Sequence, residues 1–306
     1  MEFMSDMSVE AYIARLAAAV EQALDSAIPV EWDVPGKLRE AMMYSLKAGG
    51  KRIRPVLVLA AAEAVRGDES AAEAAMPAAC AVELVHTYSL IHDDLPAMDD
   101  DDFRRGKLTN HKVFGEAMAI LAGDALLTHA FHLIAEAALS GRLPADAALA
   151  ITADLARLAG ASGMVGGQAA DMLGEQGVTS LDEMRYIHLH KTSDLITFSL
   201  TAGGRAGGAD AAQIDALAAF GMRIGLAFQI RDDILDVVGD ERVLGKKTNS
   251  DARRLKVTYP YLIGLDASRA EVERLTREAK EVLLDASLRK PDLLLGIAEY
   301  LVSRDR

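Results

Sequence analysis

The stretch Leu84 to Glu116, LVHTYSLIHDDLPAMDDDDFRRGKLTNHKVFGE, sets six aspartates between Asp93 and Asp102 and follows them with Arg104 and Arg105. It starts as an apolar helical run and ends in a charged loop that Pro96 opens. Carboxylates packed this closely repel one another unless cations sit between them. The adjacent guanidiniums indicate that those cations arrive with an anionic ligand. The stretch therefore reads as a helix whose C-terminal end carries a magnesium-diphosphate site, and the fold question becomes what packs around that helix.

Composition answers it. In 306 residues alanine dominates, aromatics make up only 5% and prolines number 8, which favours long helices packed through small side chains and disfavours a β-sandwich. The expectation is an all-α bundle of long helices around a deep apolar cavity. One domain is expected over residues 1–306, with about the first eight residues outside its ordered part. The net charge of -13 argues against a general nucleic-acid binder, although a few placed cations and carboxylate-bound metals can still hold small phosphorylated ligands. Cys80 stands alone, so no intrachain disulfide and no cysteine-based zinc site can form, and a cytoplasmic location is the simplest expectation. The N-terminus has no basic n-region, and no uncharged apolar run approaches the roughly 18 residues of a bilayer span. No membrane insertion is expected.

Apolar periodicity predicts helices over Val9 to Ala27, Lys37 to Ala48, Ile53 to Val65, Ala71 to Ile91, Gly115 to Leu139 and Ala211 to Val238. Gly49-Gly50 ends the second, and Lys51-Arg52-Ile53-Arg54-Pro55 places three cations at the start of the third, where helix N-termini attract anions. His86 lies two helical turns before Asp93 on nearly the same face. Pro144 to Met172 reads as two segments broken near Gly163 and Gly166-Gly167, with Gln168 and Asp171 just beyond; these either face a site or cap a helix. Ser180 to Glu183 reads as a capping box opening a helix through Ala202, and Ser268 to Glu271 repeats the signal. Within the first of these, Lys191-Thr192-Ser193 is a polar interruption that can bend the helix and expose a carbonyl. His188 and His190 are two apart, face different sides, and are assigned no metal.

A second acidic motif lies in Phe228-Gln229-Ile230-Arg231-Asp232-Asp233-Ile234-Leu235-Asp236. Asp232 and Asp236 are about 40° apart around a helix, so both can reach one ion. Lys246, Lys247 and Lys256 follow. Each motif alone could be a solvated helix face. Both end apolar helical runs and both lead into cations, and together they describe a multi-magnesium cradle above an apolar interior.

On these residues the chain resembles a short-chain trans-isoprenyl diphosphate synthase of the bacterial farnesyl diphosphate synthase type, over nearly its whole length. The matching stretches are Gly50 to Pro55, the DDxxxxD of Asp93 to Asp99, Arg104-Arg105-Gly106-Lys107, Gly167-Gln168, His190-Lys191-Thr192 and Phe228 to Asp236. The resemblance implies that Asp93 and Asp99, supported by Asp94, bind two magnesium ions, and that Asp232, with Asp233 and Asp236, serves a third. It implies that Arg104, Lys191 and Lys246 hold the allylic diphosphate, while Gly50, Lys51, Arg54, His86 and Arg105 serve the isopentenyl diphosphate. Gln168, Asp171 and Lys256 complete the implied substrate residues.

By the same resemblance, heterolysis gives an allylic cation, the isopentenyl double bond attacks it, and a proton leaves to the departing diphosphate. Lys191, Thr192, Phe228 and Gln229 are the implied catalytic residues. Tyr88, with Ser89, is the implied limit on chain length, giving farnesyl diphosphate, with the geranyl and geranylgeranyl products as alternatives. The family is commonly homodimeric, so a homodimer is expected. Leu108, Asp100 and Ser193-Asp194 depart from the usual pattern, and Asp194 adds a negative charge beside the allylic residues. A terpene cyclase would lack the second set of cations, and a non-catalytic regulatory subunit would tend to lose one aspartate motif. This chain keeps all of them.

Overall fold

The computed structural model describes residues 8–174, 180–238 and 257–303. Those residues are helical almost throughout, as the composition predicts. α1 (Val9–Asp25) opens at Ser8, whose hydroxyl accepts the Ala11 amide, and α2 (Gly36–Leu46) follows a proline-bounded connector. α3 (Ile53–Arg66) is the innermost helix: every residue from Pro55 to Val65 is buried. α4 (Ala71–Asp93) packs along it and carries the acidic loop at its end. α6 (Glu116–Leu139) packs along α4, preceded by the short α5 (Asn110–Phe114) and followed by α7 (Ala145–Ala159), both of which rest on α6, and then by α8 (Met164–Gly174).

α9 (Leu181–Ile187) starts at the predicted capping box, with Ser180 and Glu183 satisfying each other's backbone amides. A π-turn over His188–Ser193 then leads into α10 (Asp194–Gly207), and α11 (Ala211–Val238) packs against both. α12 (Tyr259–Ile263), α13 (Leu265–Asp285) and α14 (Pro291–Ser303) close the bundle. Small residues let the helices nearly touch: a Cβ on Gly203 of α10 would lie 2.1 Å from the Val58 carbonyl oxygen on α3.

Between α4 and α5 the chain makes a minimal hairpin that the sequence reading did not foresee, β1 (Phe103–Arg104) against β2 (Lys107–Leu108). Arg105 and Gly106 both take positive φ, 53° and 75°, as a two-residue turn of twisted strands requires. Other expectations also shift. The break after α7 falls at Gly160 to Gly163, and Gly166 and Gly167 lie inside α8. The expected helix from Ser180 to Ala202 is divided by the π-turn, which the polar interruption marked without revealing its type. The second predicted capping box fails, because α13 already begins after Gly264 and the Ser268 hydroxyl donates back to the Gly264 carbonyl inside the first turn. Four described helical stretches, 71–93, 116–139, 145–174 and 211–238, are long and apolar enough to cross a membrane by length and composition. In the bundle 71–93 and 116–139 pack along each other, whereas 211–238 packs against α10 and α13.

The connector into α3 is locked by charge. Arg52 adopts a left-handed conformation, φ 50°, and is 3% exposed. Its guanidinium donates to Glu21 of α1, to Glu83 of α4 and to the Leu46 carbonyl at the end of α2, tying three helices to the start of a fourth. Removing one member of a buried pair strands the other charge. Replacing Arg52 with Met is expected to lower the unfolding free energy by about 3 kcal/mol, measured by urea denaturation; an unchanged midpoint would show that the cluster is dispensable.

Candidate active site

Asp93 is the last residue of α4, and the loop beyond it folds back: the Asp99 amide donates to the Asp93 carbonyl at 2.8 Å and the Asp100 amide to Leu95. That turn brings two aspartates six residues apart in the chain to one place. Burial pushes the Asp93 carboxyl up to about 6, with Asp99 adding to the rise and Lys191 opposing it. A cation would relieve this. Among the described residues no three histidine, cysteine or carboxylate side chains converge on one point. A magnesium ion here would therefore take one or two carboxylates and draw its remaining oxygens from a phosphorylated ligand and water, which is its usual habit. The donor set fits such an ion.

Two cavities meet beside this loop. One, of about 390 Å³, is lined by Tyr88, Ser89 and Asp93 of α4, by Gln168 of α8 and by Lys191 and Thr192 of the π-turn, with Met98, Met164 and Met172 among its apolar walls. The other, of about 350 Å³, is lined by Gly50, Lys51, Arg52, Glu83, Arg105 and Phe228. Arg54 and His86 line both and form their common wall. Burial holds the Arg54 guanidinium below its ordinary range, with Arg105 adding to the drop. Burial, then Arg54 and Arg105, hold His86 well below the usual imidazole value, so it is neutral and acts through hydrogen bonds. Its Nε2 lies 3.4 Å from Arg54. Arg54 Nε in the shared wall and Gln168 Oε1 in the first cavity are buried without a hydrogen-bond partner. A larger recess of about 560 Å³ between α11, α13 and α14 touches none of these groups.

Glycine makes room at both edges of this site. A Cβ on Gly50 would stand 2.7 Å from the Arg105 guanidinium carbon, and one on Gly167 would stand 2.3 Å from the Lys191 amide nitrogen. Lys191 is thus seated against the backbone of α8, and its ammonium pairs with Asp171 at 2.7 Å. The Thr192 hydroxyl donates to Gln229 Oε1 at 2.9 Å, which carries the aspartate-rich face of α11 to the edge of the first cavity. Asp232 acts on Arg54 through its charge, so the second motif does approach the shared wall.

Several predicted ligands are committed elsewhere. Asp94 is buried and accepts from Arg104 at 2.7 Å; the two line a small pocket behind the loop and neither of the large cavities. The hairpin explains this, since Arg104 sits on a strand while Arg105 occupies the left-handed turn, and their side chains part. Asp233 is buried and accepts from the Tyr259 amide at 2.9 Å, bonds His188 at 3.0 Å and takes a weaker contact from Gln229. It ties α11 to the π-turn and to α12, and its predicted metal role does not match that setting. Asp236 is also buried, at 3% exposure. Lys246, Lys247 and Lys256 lie outside the described residues.

The sequence reading missed Met98, Met164, Val165, Ala169 and Met172 as cavity walls. The last four share the helical spacing of Gln168, which could have placed them on one face of α8. Ile196 and Leu301 in the second cavity had no local signal, because α10 and α14 bring them there from distant parts of the chain.

Comparison with known proteins identifies the family and the fold. Residues 35–286 match the family model described as polyprenyl synthetase. The chain is 49% identical over 302 residues to farnesyl diphosphate synthase of Geobacillus stearothermophilus, covering 99% of this chain and all of that one. It is 47% identical to the large subunit 1 of a heterodimeric geranylgeranyl pyrophosphate synthase of Arabidopsis thaliana, over 98% of this chain and 80% of that one. Its fold is similar to that of a geranyltransferase from Helicobacter pylori solved with magnesium and isoprenyl diphosphate, with a TM-score of 0.82 and 33% identity over 97% of each chain.

Proposed function

The chain belongs to the polyprenyl synthetase family, and on that premise we propose how its two cavities divide the work of prenyl chain elongation. It is a prenyltransferase that joins isopentenyl diphosphate head to tail with an allylic diphosphate, and enzymes of this family depend on magnesium. The product is farnesyl diphosphate, as the bacterial relatives favour. The observation that carries the division is the shared wall: Arg54 and His86 separate two cavities, each with its own cations and only one bordered by Asp93.

The cavity between α4 and α8 takes the allylic substrate. Its diphosphate lies at Asp93, Asp99 and Lys191, and its hydrocarbon tail runs down between the methionines of α8 and Tyr88. Bound there with the diphosphate, magnesium supplies positive charge to the leaving group as its carbon-oxygen bond breaks. Asp93 and Asp99 would hold two ions and Asp232 a third. Lys191 exchanges Asp171 for a phosphate oxygen. Arg104 remains with Asp94 and stiffens the loop, and Asp233 holds α11 in register with the π-turn.

The second cavity takes isopentenyl diphosphate. Lys51, Arg54 and Arg105 supply charge to its diphosphate, and neutral His86 adds a hydrogen bond; Phe228 covers the carbon chain. Gln229, oriented by the Thr192 hydroxyl, and the carbonyls of the π-turn face the allylic cation as it forms. The departing diphosphate accepts the proton lost from the new chain, and the apolar walls keep out water that would quench the cation.

Asp93→Ala and Asp232→Ala are each expected to lower magnesium-dependent condensation by about 100-fold or more while helical circular dichroism is unchanged; near-normal turnover in either would refute its metal role. Tyr88→Ala is expected to lengthen the products beyond C15 by chromatography, and an unchanged distribution would place the floor elsewhere. We also propose a homodimer, supported by the apolar side chains that α6 leaves exposed, Ile120, Leu121 and Leu139. Light scattering is expected to give twice the chain mass, and a monomer throughout would contradict it.

A further inference from the structure

Asp194 is one of the residues at which this chain departs from the pattern it otherwise follows, and it has a partner. Its carboxylate lies 2.8 Å from His190 Nδ1, four residues back, so the pair spans the second half of the π-turn and brackets Lys191 and Thr192. Asp194 is 8% exposed. Burial raises its pKa, and His190 and the charge of Arg157 on α7 oppose that rise. Tyr186 lies against the imidazole at 4.2 Å between ring centres.

A π-turn is a costly conformation that persists only where its surroundings hold it. Two sides are held by backbone contact. Gly167 of α8 closes on the Lys191 amide, and on the other side a Cβ on Gly225 of α11 would meet Ser193 Cα at 2.6 Å. Along the turn itself, the Ser193 hydroxyl donates to the His188 carbonyl at 3.1 Å, and the His190 to Asp194 contact overlaps it one step further on. Relaxing the turn to α geometry would rotate the flanking helices against each other by about 100°, one residue's worth of helix. Lys191 and Thr192 would leave the first cavity.

We propose that His190 and Asp194 form a positioning staple that holds the π-turn open and thereby sets Lys191 and Thr192 toward the allylic substrate. Neither residue touches that substrate. The inference rests on the allylic assignment of the first cavity and adds to it a residue pair on which allylic affinity specifically depends. The second cavity draws its charged groups from the connector before α3, from α3, α4 and the hairpin turn; α10 lends it only the apolar side chain of Ile196 and is itself packed along α3, so isopentenyl diphosphate binding does not depend on the staple.

The test compares the unaltered chain with Asp194→Ala and Asp194→Asn. Steady-state kinetics would vary geranyl and isopentenyl diphosphates separately, calorimetry would follow geranyl diphosphate binding with magnesium, and thermal melts would report folding. Asp194→Ala is expected to raise the KM and Kd for geranyl diphosphate by about 10-fold while the KM for isopentenyl diphosphate stays within about twofold, as misplacement confined to one subsite requires. Asp194→Asn, whose amide oxygen can still accept from His190, is expected to recover most of that loss. Unchanged geranyl diphosphate constants in Asp194→Ala, or an equal rise for both substrates, would overturn the staple. Failure of the unaltered chain to bind or turn over geranyl diphosphate would overturn the allylic assignment itself, and the staple's role with it.

Discussion

Arg54 sits where two cavities meet, with its Nε buried and without a hydrogen-bond partner and with Arg105 nearby adding like charge. A buried guanidinium costs several kcal/mol unless opposite charge compensates it. Glu83 and Asp232 offset part of that cost, but Glu83 is already bonded to Arg52. Across the shared wall the imbalance at Asp93 has the opposite sign: its carboxylate is half-buried with Asp99 nearby and is pushed toward neutrality. The second cavity is short of anions, and at the Asp93 end of the first, where Lys191 is paired with Asp171, a cation is wanting. Two diphosphates, one of them arriving with magnesium, would settle both.

Such a site needs rigid support, because charges held in tension relax if the frame allows it. The frame is the α3, α4, α10 core, where small residues bring backbones into contact and leave no slack. Arg52 carries that rigidity to the loop before Arg54, and Asp94 with Arg104 carries it to the acidic loop after Asp93. Asp233 does the same for the π-turn through His188 and Tyr259. Charged residues in this molecule thus fall into two groups, those spent on holding the chain and those left facing the cavities, and adjacent members of a motif belong to different groups.

That division explains what the sequence made legible. The all-helical fold followed from alanine content and apolar period. Asp93 and Asp99 could be paired because their spacing is closed by a local loop. The separate fates of Arg104 and Arg105 depend on a positive φ at Arg105 that no pattern announced. Asp233 looked like a ligand because its partners, His188 and Tyr259, lie 45 and 26 residues away and meet it only in the fold. Lys191 to Ser193 was visible as an interruption, yet a π-turn depends on Gly167 and Gly225 closing on it from two other helices. Ser268 shows the opposite error, a capping pattern made irrelevant by a helix that had already begun.

We propose that two adjacent cavities hold two different diphosphates, of which only the allylic one requires magnesium to react. This is tested most directly by incubating the unaltered protein with isopentenyl diphosphate and each allylic starter, with and without magnesium, and sizing the products. C15 product is expected from dimethylallyl and geranyl diphosphates only when magnesium is present. Condensation that proceeds equally in a chelator, or no condensation with any starter in the presence of magnesium, would contradict it.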